Sequence, residues 1–139
     1  MNETKPITVQ VLVNAPVAKV WEMWNVPEHI TKWAFASADW HAPEAENDIR
    51  EGGKFRTRMA AKDGSSEFDF SGTYTIVLPH ERIEYVMDDG REVSVTFEDQ
   101  GGATKITETF DPESENTEEM QRSGWQAILD NFKKYVEGN

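Results

Sequence analysis

Four residues stand out as able to do chemistry together: Glu108, Arg91, Tyr74 and Tyr85. Each falls at or beside an inward position of an alternating segment, where a polar side chain needs a reason to be. A carboxylate, a guanidinium and two phenols facing one apolar concavity would orient the polar part of an otherwise apolar ligand. If burial raises its pKa, Glu108 would also serve as a general acid or base, with Tyr85 polarising a carbonyl, as an aldol cyclisation or an isomerisation requires. Arg91, expected as a diagonal neighbour of Glu108, works in the opposite direction, because an adjacent cation lowers a carboxyl pKa. The plainer alternative is a partly solvated Arg91–Glu108 pair at an open edge, with the tyrosines as core rings whose hydroxyls are tethered.

Other candidates carry less. His29, His41 and His80 have no spacing that brings two to one helical face or to alternate strand positions, so no metal site is expected. His80 reads as a turn residue, and His29, beside Ile30 and Trp33, as a residue at a cavity mouth. Gly52-Gly53 lacks the Gly-Lys-Ser/Thr ending of a phosphate loop and precedes a strand. Lys54, Arg56 and Arg58 form a basic stripe on the outer face of one strand, where Arg58 is expected opposite Asp69.

The elements that position these residues follow from periodicity. Ile7, Val9, Val11 and Val13 alternate as a strand with one buried face. After Asn14-Ala15-Pro16, the residues Val17, Val20, Trp21 and Trp24 mark an amphipathic helix, and EHITKW beyond Pro27 a second short one. Residues 34–53 show no clear pattern, with Trp40 a candidate strand residue.

From Lys54 to Phe110 the chain alternates, and the turns test whether the faces agree, since a one-residue slip turns a strand over. A loop at 62–65 pairs Met59 with Phe68 and Thr57 with Phe70. A Pro79-His80 turn pairs Ile76 with Ile83 and Tyr74 with Tyr85. Asp88-Asp89-Gly90 pairs Tyr85 with Val93, and a loop at 99–102 pairs Phe97 with Thr104 and Val93 with Glu108. All the apolar residues reach one face, which predicts a five-strand antiparallel meander. The acidic run DPESENTEE then favours a helix start, and a helix is expected from about Glu115 to Val136.

Composition narrows the function. The 139 residues carry a net charge of -12, and the absence of cysteine excludes disulfide frameworks, zinc ribbons and thiol nucleophiles. Without a basic stripe suited to polyanions, nucleic acid is not an expected partner. No apolar run approaches the length of a membrane span, and polar Met1–Pro6 does not read as a leader, so no membrane insertion and a cytoplasmic location are expected. Five Trp, seven Phe and three Tyr supply the core of what reads as a single domain over residues 1–139. Strand, two helices, meander and closing helix make an α+β fold with a helix on one face of a curved sheet. Such a contact can leave a cavity suited to a small apolar ligand.

NAPVAKVWEMW, PEHITKW, DIREGGKF, DGSSEFDFSGTYTIVLPHERIEYVMDDGREVSVTF and GWQAILDNF, in that order, resemble the small bacterial proteins related to the activator of heat-shock-protein-90 ATPase homologue. That family lies within the START-like (SRPBCC) superfamily. The resemblance implies a helix-grip fold of the birch-pollen-allergen type, in which a curved antiparallel sheet wraps a long C-terminal helix and two short helices follow the first strand. It also implies a hydrophobic cavity between sheet and helix, no cofactor, and a monomer or homodimer. The expected lining is Trp24, His29, Trp33, Phe55, Thr57, Phe70, Tyr74, Tyr85, Met87, Arg91, Glu108, Gly124 and Ile128. The leading reading is a binder of a lipid, aromatic or polyketide-like metabolite. The alternatives are a cyclase or isomerase using Glu108 and Tyr85, and a co-chaperone-like interaction domain.

Overall fold

The computed structural model describes residues 5–139, so residues 1–4 of the polar Met1–Pro6 stretch lie outside the described residues. Its elements run β1 (Ile7–Val13), α1 (Val17–Asn25), α2 (Pro27–Trp33), β2 (Trp40–Asn47), β3 (Lys54–Ala61), β4 (Glu67–Leu78), β5 (Arg82–Met87), β6 (Glu92–Asp99), β7 (Thr104–Phe110) and α3 (Glu118–Glu137). The strands form one antiparallel sheet in the order β1-β7-β6-β5-β4-β3-β2. It curls into a half-barrel around α3, which is the helix-grip arrangement. The meander is therefore longer than five strands. β1 closes one side by pairing Ile7 with Phe110 and Val9 with Glu108. β2 adds the other edge, with a register shift between His41 and Glu44. Pro43 sits within that shift, which hides the strand from a period-two reading, and an edge is where a strand tolerates proline.

The turns decide which residues meet. The 62–65 loop behaves as expected, placing Met59 opposite Phe68 and Arg58 opposite Asp69. Gly90 takes a φ of 93° in the β5–β6 turn, and Tyr85 lies opposite Val93 as expected.

Two expectations fail in instructive ways. The β4–β5 connection is one residue longer than Pro79-His80, because Leu78 pairs with Arg82 and His80 takes a φ of 68°. A bulge between Tyr74 and Ile76 then restores the parity. Tyr74 still faces Tyr85, but Ile83 meets Val77 rather than Ile76. The β6–β7 turn is tighter than the four-residue loop expected. Gly101 and Gly102, at φ 73° and 104°, form a two-residue hairpin turn of the kind that needs positive φ at both central positions. The β6–β7 partners shift by two, so Glu108 lies opposite Val95 and Phe110 opposite Val93. The faces of β6 and β7 are preserved.

α3 starts at Glu118 rather than near Glu115. Thr117 caps it by accepting from the Met120 amide at 3.1 Å, while Glu118 and Glu119 complement the first turn. Buried Gln121 holds the preceding segment in a loop, accepting from the Glu113 amide at 2.8 Å and donating to the Asn116 carbonyl at 2.9 Å. Lys133 donates to the Leu12 carbonyl at 2.7 Å and Gln126 to the Gln10 carbonyl at 3.0 Å, fastening α3 along β1. Beneath α3, Ile106, Val95, Phe110, Leu129, Phe132 and Val136 are fully buried.

Candidate ligand-binding site

Between the N-terminal half of α3 and the concave sheet lies a cavity of about 580 Å³. The size falls in the range of roughly 300–1,000 Å³ usual for small-molecule sites. Its floor is built from inward positions of the meander: Phe55 and Thr57 on β3, Phe70 and Tyr74 on β4, Tyr85 and Met87 on β5, and Glu108 on β7. Gly124, Trp125 and Ile128 form the α3 side, while Trp24 and Trp33 of α1 and α2 reach its inner end. Exposed Phe68, Asp88, Asp89 and Met120 mark the solvent side.

Packing explains both the walls and the space. Phe55 touches Tyr85 edge-on with ring centroids 4.7 Å apart and lies 5.6 Å from Phe70, giving an aromatic floor. Trp125 stacks on Phe110 at 3.9 Å and is thereby drawn down onto the sheet. Gly72, between Phe55 and Met87, has no room for a side chain: a Cβ there would come within 2.5 Å of the Val86 carbonyl oxygen. Gly124 is the reverse case, because a Cβ there would meet nothing within 4 Å.

Glu108 sits between Val9 of β1 and Val95 of β6 and is 7% exposed. Its carboxyl and the Tyr85 hydroxyl make no hydrogen bond or ion pair to another described residue, and neither is sealed off from the cavity. Burial raises the Glu108 pKa to about 8. Burial, and then the charge of Glu108, hold the Tyr85 phenol well above its ordinary value, so it stays a neutral donor. Tyr74 differs: its hydroxyl donates to the Asn47 side-chain oxygen, and Asn47 donates in turn to the Asn25 carbonyl at 2.7 Å. It is a core ring with a tethered hydroxyl.

The expected Arg91–Glu108 contact is not formed. The two-residue shift at Gly101-Gly102 carries Glu108 deeper along the ladder, and Arg91 turns back to its own hairpin. Its Nε donates to Asp89 at 2.9 Å and its backbone amide to the same carboxylate at 3.1 Å. The competition between burial and a neighbouring cation is thus resolved in favour of burial. Arg91 still lines the cavity, on the solvent side.

His29 does not line the cavity. Its Nδ1 lies 2.6 Å from the Tyr135 hydroxyl, which links α2 to the C-terminal half of α3. The other twelve residues expected at the lining do border this space. Trp125, Gln121 and the acids Asp88, Asp89 and Glu113 also border it and are not among the lining residues expected from the sequence. Trp125 was legible as an apolar-face residue of α3, whereas the acids depend on where the loops fold. Arg56 and Arg58 reach Asp69 at 3.4 and 3.5 Å on the outer face, so cross-strand pairing accounts for much of the basic stripe. No group of three or more potential metal ligands occurs among the described residues. None of their helices is long and apolar enough to cross a membrane.

Comparison with solved structures places this architecture among close relatives. The AHSA1-like protein from Aeromonas hydrophila, solved by solution NMR, is 47% identical, with a TM-score of 0.90 over 96% of this chain and 93% of that one. A protein from Cytophaga hutchinsonii is 54% identical, with a TM-score of 0.82 over 96% and 92%. A protein from Chromobacterium violaceum, at 22% identity and a TM-score of 0.85 over 97% and 99%, shares the fold. A search of curated proteins returned no match. Residues 14–137 match the family described as Activator of Hsp90 ATPase homolog 1-like protein, and the chain belongs to that family.

Proposed function

We propose that this protein binds a small, mostly apolar, ring-bearing molecule in the cavity between α3 and the sheet. The observation that carries this reading is the pairing of about 580 Å³ of aromatic-walled space with two buried polar groups, Glu108 and Tyr85, that have no hydrogen-bond partner among the described residues. Buried polar atoms ordinarily have partners, so an unpartnered acid and phenol aimed into a cavity are suited to a ligand's polar end. Native mass spectrometry of protein purified from its own host is expected to show a non-covalent adduct. Repeated absence of an adduct, with no thermal shift across lipids and aromatic compounds, overturns the reading.

A second reading is favoured by the Glu108 pKa of about 8 in the absence of an opposing cation. A carboxyl that titrates near the working pH is matched to general acid–base work, and the neutral Tyr85 phenol can donate to a carbonyl oxygen. Glu108→Gln then abolishes turnover of a cyclisation or isomerisation substrate while leaving its binding largely intact. Unchanged turnover removes Glu108 from the mechanism.

A further inference from the structure

The charges around the cavity do not balance once their own partners are counted. The acids bordering it are Glu46, Asp69, Asp88, Asp89, Glu108 and Glu113, and the one base is Arg91. Arg56 reaches both Glu46 and Asp69 from the outer face at 3.4 Å, and Arg91 is taken up by Asp89. Asp88 has only the Ser71 hydroxyl, at 2.5 Å, and Glu113 only the Asn116 amides, at 2.6 and 2.8 Å. Among the described residues Glu108 has nothing. Among the described residues three of these acids therefore have no cationic partner, and no base bordering the cavity is left over. Two of them stand toward solvent, while Glu108 is enclosed on the floor near Tyr85.

From this arrangement we infer that the ligand is a cation: an aromatic or aliphatic amine whose apolar body lies against Phe55, Phe70 and Trp125 and whose ammonium pairs with Glu108. The inference rests on the proposed binding function and deepens it. Coulomb attraction in a water-poor cavity is stronger than at the surface, so a bound ammonium draws the Glu108 carboxyl, largely protonated at neutral pH in the free protein, into its ionised form with release of the proton and pairs with it. The aromatic walls add cation–π attraction for the same ligand. The rim acids attract an approaching cation and repel an anion, so a fatty acid or other free carboxylate is disfavoured both on entry and on the floor.

The test is a matched series sharing one ring system: naphthylethylamine, naphthylethanol and naphthylacetate, titrated by calorimetry into the full-length protein at low salt. The amine is expected to bind at least about tenfold more tightly than the alcohol, and the carboxylate most weakly. Glu108→Gln is expected to bring the amine down to the level of the alcohol. Should that variant not fold, the rim variant Asp88→Asn/Glu113→Gln keeps the question open to measurement: it is expected to weaken the amine about two- to threefold and leave the alcohol unchanged. Alcohol or carboxylate binding as tightly as the amine overturns the cationic ligand while leaving the apolar binding reading standing. No binding by any of the three overturns both.

Discussion

The two halves of α3 lie on the same sheet with opposite results. From Leu129 to Val136 the helix presents Leu129, Phe132 and Val136, all fully buried, and Trp24 and Trp33 close over Phe132 with centroids 5.0 and 4.8 Å away. From Gln121 to Ile128 it presents Gly124, Trp125 and Ile128, none of them fully buried, and the cavity remains. Curvature is common to both ends, so the difference lies in what fills it. One end receives side chains from two helices as well as from the sheet. The other receives a glycine, a tryptophan already committed to Phe110, and one isoleucine. The chain thus sets a packed end and an open cavity side by side along a single helix.

The largest effect is expected at the packed end. Phe132→Ala removes a ring in contact with Trp24 and Trp33 and should cost about 3–5 kcal/mol. A large drop in the urea midpoint at unchanged slope is the expected result, and a small one would mean that the packed end does not carry the stability.

A second effect belongs to the cavity end and depends on pH. The Glu108 pKa rises from an ordinary 4.5 to about 8 in the folded state, so between those values the native protein holds a proton that the unfolded chain has released. Stability is then greatest below pH 4.5 as far as this group is concerned and falls as pH rises through 8, with a slope approaching about 1.4 kcal/mol per pH unit. Denaturant melts of wild type and Glu108→Gln across this window check it. The variant should show a flatter profile and gain on the wild type with rising pH, and parallel profiles would show that Glu108 titrates normally.

The smallest effect sharpens the contrast at Gly124. A methyl group there meets nothing within 4 Å, so Gly124→Ala should stabilise the helix by about 0.5–1 kcal/mol and raise the melting temperature by a few degrees. A loss of stability would mean that the space beside Gly124 is not open.

Much of this was legible beforehand, for a definite reason. Alternation in strands such as Glu92–Asp99 and Thr104–Phe110 assigns each residue to a face, and burial follows that assignment residue by residue. Thirteen lining residues were expected, and His29 alone falls elsewhere because Tyr135 of α3 holds it. Partners along the ladder were less legible. A slip of two residues leaves every face intact, so hydrophobic pattern cannot detect the Gly101-Gly102 turn that moved Glu108 from Val93 to Val95. Likewise the extra residue at His80 and the bulge beside Tyr74 cancel, leaving Tyr74 against Tyr85 and hiding the irregularity. β2 escaped notice because an edge strand with Pro43 at a register shift lacks a clean period.

The sequence by itself determined the elements other than β2, the inward face of β1 and of β5 to β7, and the inward direction of the carboxyl at position 108, because side-chain direction is a local property of a pleated strand. Only the tertiary structure decided that Arg91 pairs with Asp89, that Glu108 has no cation paired with it among the described residues, and that space remains beside Gly124. Each of those depends on how far two strands slide and how closely a helix approaches, and alternation along one strand carries no record of either.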